Sequence, residues 1–206
     1  MRIRIILALY MALASISSAM ADETPNERQA RRIFDKAYDQ VFGNVGSSLS
    51  YDVNIVGLYK THGTIWIKGK RNKFVDDKVN SWNDGITAYK CYRKKRVVEI
   101  YHAASKKKDK YSGRFKFNAD DFTYHVDTDP EGLLLTLKQK HGAKSSVKEV
   151  KALVERKTYA PKRIRIKVAF FWTTITVRDF NAGELSDDIF IFPREKYKDW
   201  KFVDKR

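Results

Sequence analysis

Cysteine is almost missing from this chain: Cys91 is the only one in 206 residues. One cysteine excludes an intramolecular disulfide, so the fold must stand on its core alone. Histidine is also sparse, and the four, His62, His102, His125 and His141, share no metal-ligand spacing with cysteine or carboxylates. No Gly-x-Ser-x-Gly elbow and no glycine-rich phosphate loop occurs. These absences argue against an enzyme, and no catalytic residue, metal ligand or cofactor is expected. Cys91 has lysine and arginine neighbours but no paired histidine, so it reads as a small residue on a strand face. Asp120-Asp121 and Asp187-Asp188 read as turn residues. Acid is also in deficit: 25 Asp and Glu face 41 Lys and Arg, for a formal charge of +16. Proline is limited to four residues, of which Pro130, Pro161 and Pro193 fall at segment ends, where a sheet tolerates them.

Only one long apolar run is present, at residues 5–16. Arg2 and Arg4 precede it, and Ala19-Met20-Ala21 follows as a small-x-small site before Asp22-Glu23. This is the pattern of a cleaved secretory leader over residues 1–21, too short for a membrane span. Its removal would take two arginines and no acid, leaving +14 on a single domain over residues 22–206. Cys91 lies far from the cleavage site, so no lipid-acceptor cysteine stands at the new N-terminus. The expectation is an exported, soluble, periplasmic monomer without a lipid anchor. Such a protein does not meet nucleic acid, so its charge must answer to a membrane, an envelope surface or an acidic partner.

Thr24-Pro25-Asn26-Glu27 reads as a capping box with proline in the first turn. Ala30, Ile33, Phe34, Ala37, Tyr38, Val41 and Phe42 then recur at steps of three and four, the stripe of an amphipathic helix that ends at Gly43. From Leu49 the period becomes two: Leu49, Tyr51, Val53 and Ile55 alternate with Ser50, Asp52 and Asn54. Strands are predicted at 63–69, 79–82, 86–89 (joined to the last by Asp84-Gly85), 97–102, 133–137, 147–154, 164–168, 173–180 and 189–192. Residues 103–129 lack a clear period and read as short helices or a flap. The prediction is a mainly β (α+β) fold: a curved antiparallel half-barrel of about ten strands, with an N-terminal helix and a helical lid on its concave face.

Gly63-Thr64-Ile65-Trp66-Ile67-Lys68, then Phe74, then Ser81-Trp82-Asn83-Asp84-Gly85 with Tyr89 and Tyr92, resembles the LolA family of outer-membrane lipoprotein carriers. The run from Asn181 to Asp187, Phe190-Ile191-Phe192-Pro193 and Val203-Asp204 is similar to that family's ending. The resemblance spans essentially the whole mature chain and is closest to divergent members of the Bacteroidetes type. It implies a hydrophobic cavity for lipoprotein acyl chains, an inner-membrane ABC exporter as donor and an outer-membrane acceptor. One departure stands out: Gly69 occupies the place of an arginine that pins the lid in enterobacterial carriers.

The residues expected to line the cavity are Tyr51, Val53, Ile65, Ile67, Phe74, Trp82, Tyr89, Leu133, Leu135, Ile164, Ile166, Ile175 and Val177 from the strands. Ile33, Phe34, Ala37 and Val41 would face them from the helix. A one-residue slip in parity would invert a whole strand's set. The densest basic runs, Arg93-Lys94-Lys95-Arg96 and Lys106-Lys107-Lys108, are solvated turn charge or a docking surface for anionic headgroups. Two other readings fit the same features: a carrier of another amphiphile, such as a glycolipid or pigment precursor, or an envelope-stress sensor of mislocalised lipoproteins. The sensor would need a further C-terminal domain, which is not expected in a chain ending at Arg206.

Overall fold

The computed structural model describes residues 23–55, 59–105 and 118–206. The leader (1–21), Lys106-Lys107-Lys108, Phe115 and Phe117 lie outside the described residues. Helix α1, Pro25–Phe42, opens as its capping box dictates: Glu27 N–H donates to Thr24 Oγ1 at 3.2 Å, and Thr24 N–H donates back to the Glu27 carboxylate at 2.9 Å.

Twelve strands follow among the described residues, where about ten were expected. They are β1 (Ser47–Ile55), β2 (Tyr59–Lys68), β3 (Arg71–Asp76), β4 (Val79–Asn83), β5 (Thr87–Tyr92), β6 (Val97–His102), β7 (Phe122–Asp129), β8 (Gly132–Gln139), β9 (Val147–Val154), β10 (Pro161–Val168), β11 (Phe171–Ala182) and β12 (Lys201–Asp204). They form one open, curved sheet in the order β12-β6-β5-β4-β3-β2-β1-β11-β10-β9-β8-β7. All neighbours are antiparallel except β12, which runs parallel to β6. Two expectations are corrected. Residues 122–129, read as irregular, form a strand in which buried Phe122, Tyr124 and Val126 alternate with exposed Thr123, His125 and Asp127. Residues 189–192, read as a strand, fall within and after a short 3-10 helix, Asp187–Phe190, because the Ser186 hydroxyl accepts from Asp188 N–H and curls the chain.

The sheet buries different faces along its length. At one end, Ala30 and Ile33 of α1 pack on the concave face over Phe122, Tyr124, Val126, Leu135, Leu137, Val147, Val150 and Val154. The edge strand β7 is capped there: the Asn26 side-chain amide donates to Val126 O at 2.8 Å and accepts from Val126 N–H at 3.0 Å, so one side chain stands in for a missing strand. At the other end the convex face is covered. The segment after β11 crosses it, anchored where Asp187 receives Lys68 at 2.8 Å and Arg71 at 2.7 Å, and it buries Phe190 and Tyr197. Tyr197, Phe192, Trp200 and Phe202 pack on Trp82, Cys91 and Val98. The Cys91 thiol is buried, and desolvation pushes its pKa up to about 12.

Candidate functional site: an apolar cavity under the helix

Between these two packed regions lies a cavity of about 710 Å³ on the concave face. Its walls follow from strand parity. Leu49, Tyr51 and Val53 of β1 face inward together, and register pairs them with Ile65, Gly63 and Thr61 of β2. Val53 and Tyr51 also pair with Ile175 and Val177 of β11, and Ile175 with Ile164 of β10. Phe74 of β3 lies opposite Ile65. Gly63 makes room for the Tyr51 ring, since a Cβ there would sit 2.7 Å from Tyr51 Oη and 2.5 Å from Val75 O. Tyr51 therefore lies across β2 and stacks on Phe74, with ring centroids 5.9 Å apart at 13°.

Helix α1 supplies the roof. Its first half belongs to the dry core through Ala30 and Ile33; its second half presents Phe34, Ala37, Tyr38, Val41 and Phe42 to the cavity. Phe34, Tyr38 and Phe42 form an i, i+4 ladder with centroids 5.8 and 4.7 Å apart, and Tyr38 and Phe42 remain about half exposed. The helix ends at the foot of the sheet, where Ser47 Oγ donates to Val41 O and Gln40 donates to Thr158 O. From there the cavity runs toward the end of the sheet at which β3 turns into β4. Two polar wall residues stand there: Thr61, whose Oγ1 is buried without a hydrogen-bond partner among the described residues, and Asp76, the last residue of β3. Asp76 Oδ1 accepts from the N–H groups of Lys78 and Val79, each at 2.6 Å.

The cavity is open-sided, and an apolar lining that water wets only at a cost is a lining suited to an apolar guest.

Of the residues singled out in the sequence, Phe34, Ala37, Val41, Tyr51, Val53, Ile65, Ile67, Phe74, Leu135, Ile164, Ile175 and Val177 surround this cavity. Ile33, Leu133 and Ile166 do not; they belong to the core beneath the helix. Trp82 and Tyr89 are corrected more sharply. Register sets Trp82 opposite Lys73 and Tyr89, and Phe74 opposite Ser81, so Trp82 and Tyr89 share the face away from Phe74. Their rings pack on Phe192 at 5.6 and 4.2 Å. Both nonetheless border a smaller depression of about 370 Å³ that reaches from Ile65 and Phe74 over Ser81, Asn83, Ala88, Lys90 and Tyr101. Sequence reasoning missed Leu49, Thr61, Asp76, Val150, Ala152, Val154 and Pro161 as wall residues, together with Tyr38 and Phe42, although Leu49, Tyr38 and Phe42 carried the periodic signal.

Gly69 sits in the β2–β3 turn at φ +55°, and a Cβ there would approach Asn44 Oδ1 to 2.6 Å. An arginine at this position is disfavoured by the backbone, which holds a positive φ. The flanking Lys68 and Arg71 instead clamp Asp187, whose carboxyl they hold down to about pKa 2, Arg71 contributing most. Arg93–Lys95 form an exposed 3-10 turn, closed by Arg96 at φ +51°.

No protein-family model and no curated protein matches the sequence. Among solved structures, an uncharacterized conserved protein from Thermus thermophilus superposes with a TM-score of 0.58 at 10% identity, over 86% of this chain and 99% of that one. The fold is a known one. Structural neighbours also include a LolA superfamily protein from Nitrosomonas europaea (TM-score 0.35, 9% identity, 79% and 97% of the two chains). Another is the lipoprotein LppX of Mycobacterium tuberculosis (TM-score 0.41, 10% identity, 75% and 96%). These last two superpositions are too loose to say more, and what this chain does has to be read from its own cavity.

Proposed function

We propose that the protein is a periplasmic carrier that shields the acyl chains of lipoproteins and moves them from the inner toward the outer membrane. The observation that carries this reading is the aliphatic and aromatic cavity between α1 and the concave face, with the polar wall residues Thr61 and Asp76 toward one end. A chain of apolar methylenes costs about 0.8 kcal/mol each to expose, so such cargo does not cross water unshielded. Release sets the opposite demand, because non-covalent affinity saturates near −18 to −21 kcal/mol. An open-sided cavity meets both. Scaled from an engineered 150 Å³ cavity that holds one benzene, this one takes roughly 28 carbons, the bulk of one or two acyl chains rather than three. An inner-membrane ABC exporter and an outer-membrane acceptor are the donor and acceptor that this role requires, and the carrier works as a monomer without catalysis.

Native mass spectrometry of protein purified from the periplasm without detergent tests the reading. A bound acylated protein, absent from the Ile65→Asp variant, is the expected result. A small glycolipid or pigment adduct lost in the same variant would redirect the carrier to another amphiphile. An empty protein that takes up no fluorescent fatty acid would overturn both.

A further inference from the structure

The cavity has a direction, and the surface at its far end differs from the rest of the molecule. Because strands alternate, the hairpin turns at 77–78, 93–96, 140–146 and 169–170 all lie at one end of the sheet, the end toward which Thr61 and Asp76 point the cavity. These turns carry seven basic residues, Lys78, Arg93, Lys94, Lys95, Arg96, Lys140 and Lys144, against one acid, Asp77. The hairpin turns at the opposite end, 69–70, 84–86, 130–131 and 155–160, carry three bases and three acids. The charge is therefore concentrated at one rim. Asp120 and Asp121 enter β7 at the outer edge of that rim, and Arg31 holds Asp120 at 2.9 Å.

One turn on this rim breaks the rule for turns. The β10–β11 hairpin turns on Ala169, at φ +52°, and Phe170, where glycine, asparagine or aspartate ordinarily serves. Phe170 is 77% exposed and Phe171 50%, with their rings 4.3 Å apart. The hairpin beneath them is two-sided. On the concave face Ile164 borders the cavity, and Ile166 and Val168, packed on the core beneath the helix, lead up to Phe171, which pairs with Val168. On the convex face Arg165 and Lys167 flank the Trp172 ring at 4.7 and 5.8 Å. Glu149 stands opposite Lys167 and is paired by Lys151 at 3.6 Å. An apolar tip, an aromatic belt and flanking cations in that order are the profile of a segment that enters the interface of an anionic bilayer, rings at the acyl boundary and cations at the phosphates.

We infer that the rim formed by the β10–β11 tip and the basic turns docks on an anionic lipid bilayer, with Phe170 and Phe171 inserted. The cavity's polar end then faces the headgroups and its apolar end lies away from the membrane, as a chain transferred tail-first requires. The docking face is independent of cargo identity, although the orientation argument rests on the carrier reading.

Vesicle co-sedimentation separates the two. The protein should bind vesicles of equal parts phosphatidylglycerol and phosphatidylcholine, bind phosphatidylcholine alone at least tenfold more weakly, and lose binding as salt rises. Phe170→Ser with Phe171→Ser should weaken binding to the anionic vesicles about tenfold or more while leaving the far-UV spectrum and fluorescent fatty-acid uptake intact. A single Phe170→Trp reporter should shift its emission to the blue on those vesicles only. Ile65→Asp, in the cavity, should lose the fatty acid and keep the vesicles, so failure of the carrier reading would show in that variant and not in the hairpin. Undiminished vesicle binding by the double variant, equal binding to neutral vesicles, or a Phe170→Trp emission that only a protein partner shifts would each overturn the inference.

Discussion

The two ends of this sheet solve the same packing problem on opposite faces. From β7 through β3, aliphatic side chains line the concave face, and α1 covers part of it, Ala30 and Ile33 fully buried against β7–β9. From β4 through β6 the concave face mixes Ser81, Asn83, Lys90 and Glu99 with Val79, Ala88 and Tyr101, while the convex face carries Trp82, Tyr89, Cys91 and Val98 beneath the C-terminal segment. The convex cluster buries Cys91 and Val98 fully and Trp82 and Tyr197 almost so. The concave stretch between β1 and β10 is walled but not filled. One apolar surface is structural and the other is left available, and that division separates stability from binding in this protein.

The sharpest break of the comparison is Trp82→Ala, which removes a buried ring that packs edge-on against the stacked Phe192 and Tyr197. It should cost about 3–5 kcal/mol in urea unfolding and leave fatty-acid affinity within twofold in the folded fraction. Ile65→Asp should do the reverse, costing less than about 2 kcal/mol, because its site is only half-buried and wettable, while abolishing probe uptake. Asn26→Ala removes both hydrogen bonds to Val126. At about 0.5–1.5 kcal/mol each, it should destabilise the α1 end by roughly 1–3 kcal/mol and, by uncapping an edge strand, raise light scattering on storage.

The smallest effect concerns Asp187. Its carboxyl is depressed from 3.8 to about 2 by Arg71 and Lys68, so its stabilising contribution is present above the unfolded pKa and lost as pH falls through the folded one. Acid should loosen the C-terminal segment between about pH 4 and 2. Followed by tryptophan emission, that transition should flatten in Asp187→Asn.

Much of this division was legible in the sequence where pattern and packing agree. β1, β10 and the middle of β11 alternate apolar and polar residues, and Ile65 and Ile67 share one face of β2, so the parity of Tyr51, Val53, Ile65, Ile175 and Val177 could be read directly. β4 and β5 offered no such guide. Asn80, Trp82 and Asn83, or Ala88, Tyr89 and Cys91, place apolar and polar groups on both faces, and the cover that decides between them is the Phe192–Tyr197–Trp200 segment, about a hundred residues downstream. Strand β7 was missed although Phe122, Tyr124 and Val126 alternate perfectly, because the aromatic residues just before it obscured the period. Residues 189–192 were misread for the opposite reason: a short apolar run ending at proline fits a strand or a turn equally well.

Titration with a fluorescent fatty acid, run in parallel on the native protein, Ile65→Asp and Trp82→Ala, tests the division most directly. Saturable uptake by the native protein and by Trp82→Ala, lost at least tenfold in Ile65→Asp, is the predicted result. No uptake by the native protein, or uptake that Trp82→Ala abolishes and Ile65→Asp retains, would contradict it.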